Sequence, residues 1–367
     1  MRPSKSTDQH LIIEPRLDSF NSDSLQSAPY ISVVIVSWNA LETIKKCLPS
    51  VAATQHTSFE VLFVDNASQD ESVEWIQHTY PDIRIVSHPE NWAYCKGNNR
   101  AVEHARGELL VLLNNDVEVP PTWLDAIDAT FRSNPDVGAA QPKIHQFNNR
   151  SMFEYAGAAG GFLDKDGYPF TRGRIFDTVE EDHGQYDTPQ DLFWASGTCL
   201  VIRKALYQQL NGFEEAFFMH MEEIDLCWRL RSLGHRIVLI PESVVYHIGG
   251  ASLSNQSSRK LYLNFRNNLL MLYRNLPAAM WKKVFLRRCF LDCIALLKAL
   301  LSLRPRHALA ILSAYKDALR MMKSYSHFRP LPGAAIPLPY QGSVIIDYYL
   351  KGRKHFSSLP ASQFTSL

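Results

Sequence analysis

Between residues 31 and 113 the chain alternates short apolar runs with stretches of helical spacing, and the runs give way to polar residues. Ile31 to Val36 (ISVVIV) is largely β-branched and ends in Ser37-Trp38-Asn39. Leu41, Ile44, Leu48 and Val51 then recur at the period of an amphipathic helix. Phe59 to Val64 ends on Asp65-Asn66, Ile83 to Val86 leads to Asn91-Trp92, and Leu109 to Leu113 stops on Asn114-Asn115-Asp116. Helices over 71–78 and 98–106 separate these runs, the second closed by Gly107 as a C-cap. Continuous apolar strands without polar alternation are buried on both faces, the pattern of a parallel sheet covered by helices. Such βαβ units cross over right-handed and place ligands at the carboxyl ends of the strands. The polar residues therefore fall where an α/β sheet does its chemistry.

The same stretch excludes the commonest nucleotide sites. No GxGxxG follows the first strand and no GxxxxGK[ST] occurs, so neither a glycine-cradled dinucleotide nor a P-loop is expected. A nucleotide would have to be held by Asp and Asn side chains. A formal net charge of +1 gives no polyanion signal, and nucleic acid is not expected as a partner.

Beyond Pro120 the pattern loosens. Residues 147–191 are rich in Gly, Asp and aromatics with little periodicity, as in a functional loop. Phe193 to Arg203 reads as a strand with a small-residue approach at Ser196-Gly197. A helix begins near Glu222, where acids favour the first turn, and stops at Gly234. Within it Asp225 and Arg229 are spaced to pair. Glu222 and Glu223, being adjacent, project about 100° apart and are not expected to share one role. Short strands over 236–240 and 243–246 lead to His247-Ile248-Gly249-Gly250.

In this order, VVIVSWN (33–39), VDNASQD (64–70), NWAYCKGNN (91–99), LLNNDVEV (112–119), ASGTCLVIR (195–203), EEIDLCWRL (222–230) and HIGG (247–250) resemble glycosyltransferase family 2. The branch resembled is that of bacterial rhamnosyltransferase-like enzymes of surface polysaccharide synthesis. The resemblance covers residues 30–255 and implies a GT-A fold: a mostly parallel sheet flanked by helices. It also implies an inverting transfer from a nucleoside diphosphate sugar to a hydroxyl of a glycan or lipid-linked acceptor. A divalent metal, Mg2+ or Mn2+, would neutralise the leaving diphosphate.

Site residues follow by the same resemblance. Asp116 matches the metal-binding acid of a DxD-type motif, with Glu118 a lesser candidate and Asn114 standing where the first acid usually is. His247 matches a histidine that completes the metal site, set against a structural hydrogen-bonded histidine. Asp65 matches the acid that reads the base, set against an Asp capping the next turn. Asn39, Asn91, Asn98 and Asn114 are candidates for the nucleotide-sugar. Glu223 stands at the general-base position, where an Asp is usual. Trp194, Ser196, Gly197 and Glu222 are assigned to the acceptor or sugar pocket. The rival readings are a catalytically inactive nucleotide-sugar-binding or scaffold protein and a nucleotidyltransferase. The latter lacks its glycine- and basic-rich loop after the first strand.

Three regions are expected: a disordered polar leader (1–28), the GT-A domain (29–255) and a C-terminal helical, basic amphipathic region (256–367). The leader has no apolar core of a signal peptide. With six cysteines and no CxxC pair, this suggests reduced thiols in the cytoplasm. Residues 281–323 hold ten Lys/Arg and two Asp, a charge of +8 that leaves −7 for the rest. Within 284–304, Arg287, Arg288, Asp292 and Lys298 fall on one arc opposite an apolar face. Two readings stand: docking on an anionic membrane surface at the inner face of the cell membrane, or packing on the catalytic domain with solvated charges.

Overall fold

The computed structural model describes residues 28–249, 257–328, 330 and 336–367. Most of the expected leader, and Gly250 of the HIGG stretch, lie outside the described residues. The N-terminal half follows the alternation of the sequence. Strands β1 (Ile31–Ser37), β2 (Phe59–Asp65), β3 (Arg84–Ser87) and β4 (Leu109–Leu113) alternate with helices α1 (Leu41–Ala52), α2 (Ser72–Thr79) and α3 (Ala93–His104). After β5 (Val117–Glu118), α4 (Trp123–Ser133) and β6 (Val137–Gln146) come four short strands: β7 (Gly161–Leu163), β8 (Pro169–Thr171), β9 (Arg174–Ile175) and β10 (Thr178–Val179). Then follow β11 (Cys199–Arg203), α5 (Lys204–Gln209), α6 (Glu222–Ser232) and β12 (Arg236–His247). Helices α7 (Ser258–Asn275), α8 (Ala278–Leu301), α9 (Pro305–Met321) and α10 (Val344–Tyr349) complete the chain.

The main sheet runs β3-β2-β1-β4-β11-β6-β12-β5. Its first four strands are mutually parallel, as is the β6–β12 pair, while β11 is antiparallel to both neighbours and β5 is an antiparallel edge. Alternate residues enter different cores. Val33, Ile35, Val111 and Leu113 meet α1 and α4, and Val34, Leu110 and Leu112 meet the layer holding α3 and α6. This period-2 division explains why every residue of β4 is buried.

Several expectations change. Helix α3 starts at Ala93, so Asn98 and Asn99 lie inside it, and it ends on an extended Ala105 rather than at Gly107. Gly107 instead lets the backbone pass β1: a Cβ there would meet Ser32 N at 2.6 Å. The 193–203 strand is confined to β11, and the two strands after α6 form one, β12, with a bulge between Ile240 and Val244. The irregular 147–191 stretch contains the second, antiparallel sheet, β10-β9-β8-β7. Residues 336–367 return to that sheet. Tyr340 bridges to Asp164, and Phe356 and Phe364 pack on Phe162 and Phe170.

In helix α8, Arg288 and Asp292 of the polar arc are buried against the domain, while Leu286 (71% exposed) and Phe290 (69%) face outward, so of the two readings the packing with that arc solvated is not the one adopted. Polar partners decide this: Tyr168 and Tyr315 hydroxyls each donate to Asp292 at 2.6 Å, and Arg288 stacks over Tyr168 and bonds Asn268. All six cysteines are free thiols.

Candidate active site

Two cavities open side by side at the carboxyl ends of β1, β2 and β4 and share Tyr94, Asn114 and Met219 as a wall. Their volumes, about 440 and 520 Å3, suit parts of a drug-sized ligand. Trp38, Asn39, Asn66, Asn91, Asn115 and Arg259 line one. Asp116, Glu154, Ser196, Gly197, Glu222, Glu223 and His247 line the other.

The register of β12 on the edge strand builds the second cavity's charged corner. His247 pairs with Val117, and Ile248 N–H donates to the Asp116 carbonyl at 3.0 Å. The two side chains therefore meet, with His247 Nε2 3.1 Å from Asp116 Oδ1. The opposite ring nitrogen lies 3.2 Å from Glu154 Oε2. Burial alone would lower the imidazole's pKa, but the Asp116 and Glu154 carboxylates outweigh it and push it up to about 10. Neither contact is aligned as a hydrogen bond: Asp116 Oδ1 and His247 Nδ1 remain without one. A buried carboxylate oxygen beside an imidazole, neither satisfied, suits a divalent cation once the ring gives up its proton, since only a deprotonated nitrogen ligates a metal. Among the described residues no three His, Cys, Asp or Glu converge on one point. Asp116 and His247 are the two side chains there that could hold such an ion.

At the start of α6, Glu222 and Glu223 both face this cavity, and each leaves Oε2 without a partner. They line one cavity although adjacent in sequence. The reason is local: Met221, before the first turn, has a left-handed φ of 73°, as do Phe218 and His220 nearby. Asn267 of α7 holds this strained run by donating to the carbonyls of Phe217, Met219 and His220. Burial raises both carboxyl pKa values, and the charge of Glu223 raises Glu222 further. Backbone N–H groups at the helix start offset part of the rise at Glu223. The pair therefore ionises first at Glu223.

Ser196, Gly197 and Glu222 line the cavity, with Gly197 carbonyl accepting from the Tyr94 hydroxyl at 2.7 Å. Asn39, Asn91 and Asn114 also lie on cavity walls. Four other candidates stand apart from both cavity linings. Trp194 is buried in the core, its indole covering Gly161 and donating to the Phe162 carbonyl at 3.0 Å. Asn98 is buried within α3 and donates back to the Tyr94 carbonyl at 2.9 Å. Glu118 turns from the cavity on the edge strand and pairs with Arg150 at 2.6 Å. Asp65 is buried, outside both cavity linings, and accepts the Ser68 N–H at 3.1 Å, so it caps the turn after β2. Sequence reasoning missed Tyr94, Glu154, Arg259 and Lys260. Glu154 lay in the stretch marked as a functional loop, the one available signal.

Residues 32–210 match the family described as Glycosyl transferase family 2. Over 234 residues the chain is 28% identical to the O-antigen biosynthesis protein RfbC of Myxococcus xanthus, covering 62% of this chain and 18% of that protein. It is 25% identical over 258 residues to N-acetylglucosaminyl-diphospho-decaprenol L-rhamnosyltransferase of Mycobacterium tuberculosis, covering 66% of this chain and 83% of that enzyme. The chain spans 27% and 18% of the first two curated relatives it matches. Its fold is similar to that of GalNAc-T7, solved with UDP, GalNAc and Mn2+. The TM-score is 0.56 at 14% identity, covering 86% of this chain and 59% of that one.

Proposed function

Because this chain carries a glycosyl transferase family 2 domain on a GT-A fold, we propose that it transfers a hexosyl or rhamnosyl unit from a nucleoside diphosphate sugar with inversion. The acceptor is a hydroxyl of a glycan or lipid-linked saccharide, and the setting is cell-envelope polysaccharide synthesis. The observation that carries this reading is the pair of joined cavities, an Asn-rich one beside a carboxylate-rich one.

The Asn-rich cavity takes the nucleotide. Trp38, 52% exposed on its wall, offers a ring on which a base can stack, and Arg259 offers a cation to the diphosphate. Asp116 and His247 would hold a divalent metal, which would supply charge neutralisation to the leaving diphosphate. Glu223 is the general base. Its carboxylate takes the acceptor hydroxyl's proton as the oxygen bonds to the anomeric carbon, while the bond to the diphosphate breaks and its electron pair leaves with phosphate oxygen. Glu222 keeps its proton and donates to a sugar or acceptor oxygen. Carboxyl oxygens kept buried without partners are costly, which favours a working site over an inactive scaffold.

The test is a thermal-shift screen of UDP-, dTDP- and GDP-sugars with Mn2+ or Mg2+, followed by NMR of the product's anomeric configuration. A donor at about 100 times its Kd stabilises by roughly 2.7 kcal/mol. No response to any of these donors, or retention of configuration, rejects the reading.

A further inference from the structure

Helix α8 turns its apolar side to solvent. Leu286, Phe290, Ile294, Leu297 and Leu301 recur at spacings of four, four, three and four, forming one continuous stripe, and all are at least half exposed. Helix α9 continues the surface with Leu309, Leu312 and Leu319, also at least half exposed. At the hairpin between them, Leu303 is 89% exposed. Ordinary soluble surfaces carry such residues singly, and a contiguous set marks a contact surface.

The charges at its border identify the contact. Lys282, Lys283 and Arg287 are exposed at the start of α8, and Arg304 and Arg306 at the hairpin. Lys316, Arg320 and Lys323 follow along α9. Asp317, the acid beside this rim, is engaged with Arg320 and the Tyr262 hydroxyl. A second copy of the same face would set this cationic border against itself. A lipid leaflet bearing anionic headgroups is complementary to both parts, with apolar side chains entering the acyl boundary and Lys/Arg meeting phosphate. No helix among the described residues is long and apolar enough to cross a membrane, so contact is parallel to the surface.

The inward side makes the exposure a fixed property. Arg288 and Asp292 are held by Tyr168, Tyr315 and Asn268, so α8 cannot roll its stripe inward without leaving a buried ion pair unmet. Helix α7 links this face to the cavities: its first turn supplies Arg259 and Lys260, and Tyr262, next along, bonds Asp317 on α9. We propose that the α8–α9 face docks on an anionic bilayer surface. The proposal is independent of the sugar transferred.

The full-length protein is sedimented with phosphatidylglycerol–phosphatidylcholine vesicles and with phosphatidylcholine alone, at low and high salt. Binding is expected to anionic vesicles and to weaken with salt. F290S/L297S, at exposed positions that leave thermal unfolding unchanged, is expected to lower partitioning on the order of 100-fold. K282E/K283E is expected to lower it at least about tenfold at low salt. Absence of vesicle binding overturns the proposal, as does binding unaffected by F290S/L297S. A dimer that F290S/L297S dissociates, in a protein that ignores vesicles, assigns the face to a second copy instead.

Discussion

His247 Nε2 sits 3.1 Å from Asp116 Oδ1, although 131 positions separate the residues, one ending β12 and the other in the turn before β5. The contact exists because β12 pairs with the edge strand at His247–Val117. Asp116→Ala and His247→Ala are each expected to weaken metal-dependent donor binding by roughly 10- to 100-fold, measured by titrating a nucleoside diphosphate sugar with and without Mn2+. Glu118→Ala, which loses only a surface pair with Arg150, is expected to leave it unchanged. Equal losses in all three variants would sink the assignment.

Glu223→Gln is expected to lower kcat by about 100- to 10,000-fold while donor affinity holds. Burial raises this carboxyl above the ordinary glutamate range near about 4.3. The base works deprotonated, so kcat is expected to rise with pH along a limb displaced upward toward neutrality. Steady-state rates across pH measure this. A limb that persists in the Gln variant would assign it to another group.

Glu222 has a consequence for stability. Its native carboxyl holds its proton to a pH above the unfolded value, chiefly through burial and then through the Glu223 charge. The native state therefore binds more protons over that interval, and stability falls as pH rises from about 4.3 toward the native value. Glu222→Gln removes this loss. It is expected to be neutral in acid and to be more stable than wild type at mildly alkaline pH, read from urea unfolding without metal. A variant equally stable or weaker than wild type at alkaline pH would mean that the carboxylate gains a partner there.

Local pattern made the sheet's N-terminal half legible, because buried strands and amphipathic helices each carry their own period. It also put Asp116 and Asn114 at the end of β4. What depends on register was not legible: Glu154 reaches His247 only through the pairing of β6 with β12 and the return of the chain past β6, where Glu154 N–H donates to the Ile144 carbonyl. Trp194 beside Ser196-Gly197 resembles a pocket wall in one dimension. Its partner, bare Gly161, lies 33 residues earlier, where a Cβ would fall 2.0 Å from the indole. Asp65 could equally face a base or its own turn, and the Ser68 N–H took it. A helical wheel separates the two faces of α8 but does not say which is inward, since tyrosines on distant elements decide that.

That orientation has its own test in Asp292. The residue is 2% exposed, lies 3.2 Å from Arg288 Nη2 and accepts from two tyrosine hydroxyls. Removing it strands a buried guanidinium and two hydroxyls at once. Asp292→Ala is expected to cost about 3–5 kcal/mol in urea unfolding. Asp292→Asn keeps one acceptor for the tyrosines and is expected to cost less, and adding Arg288→Met should recover part of the loss by removing the unpaired charge. If α8 instead lay with its leucines inward, Asp292 would be a solvated side chain. Its replacement by Ala would then fall within about 0.5 kcal/mol of neutral, and Phe290→Ser, which the present orientation makes nearly silent for folding, would carry the large loss.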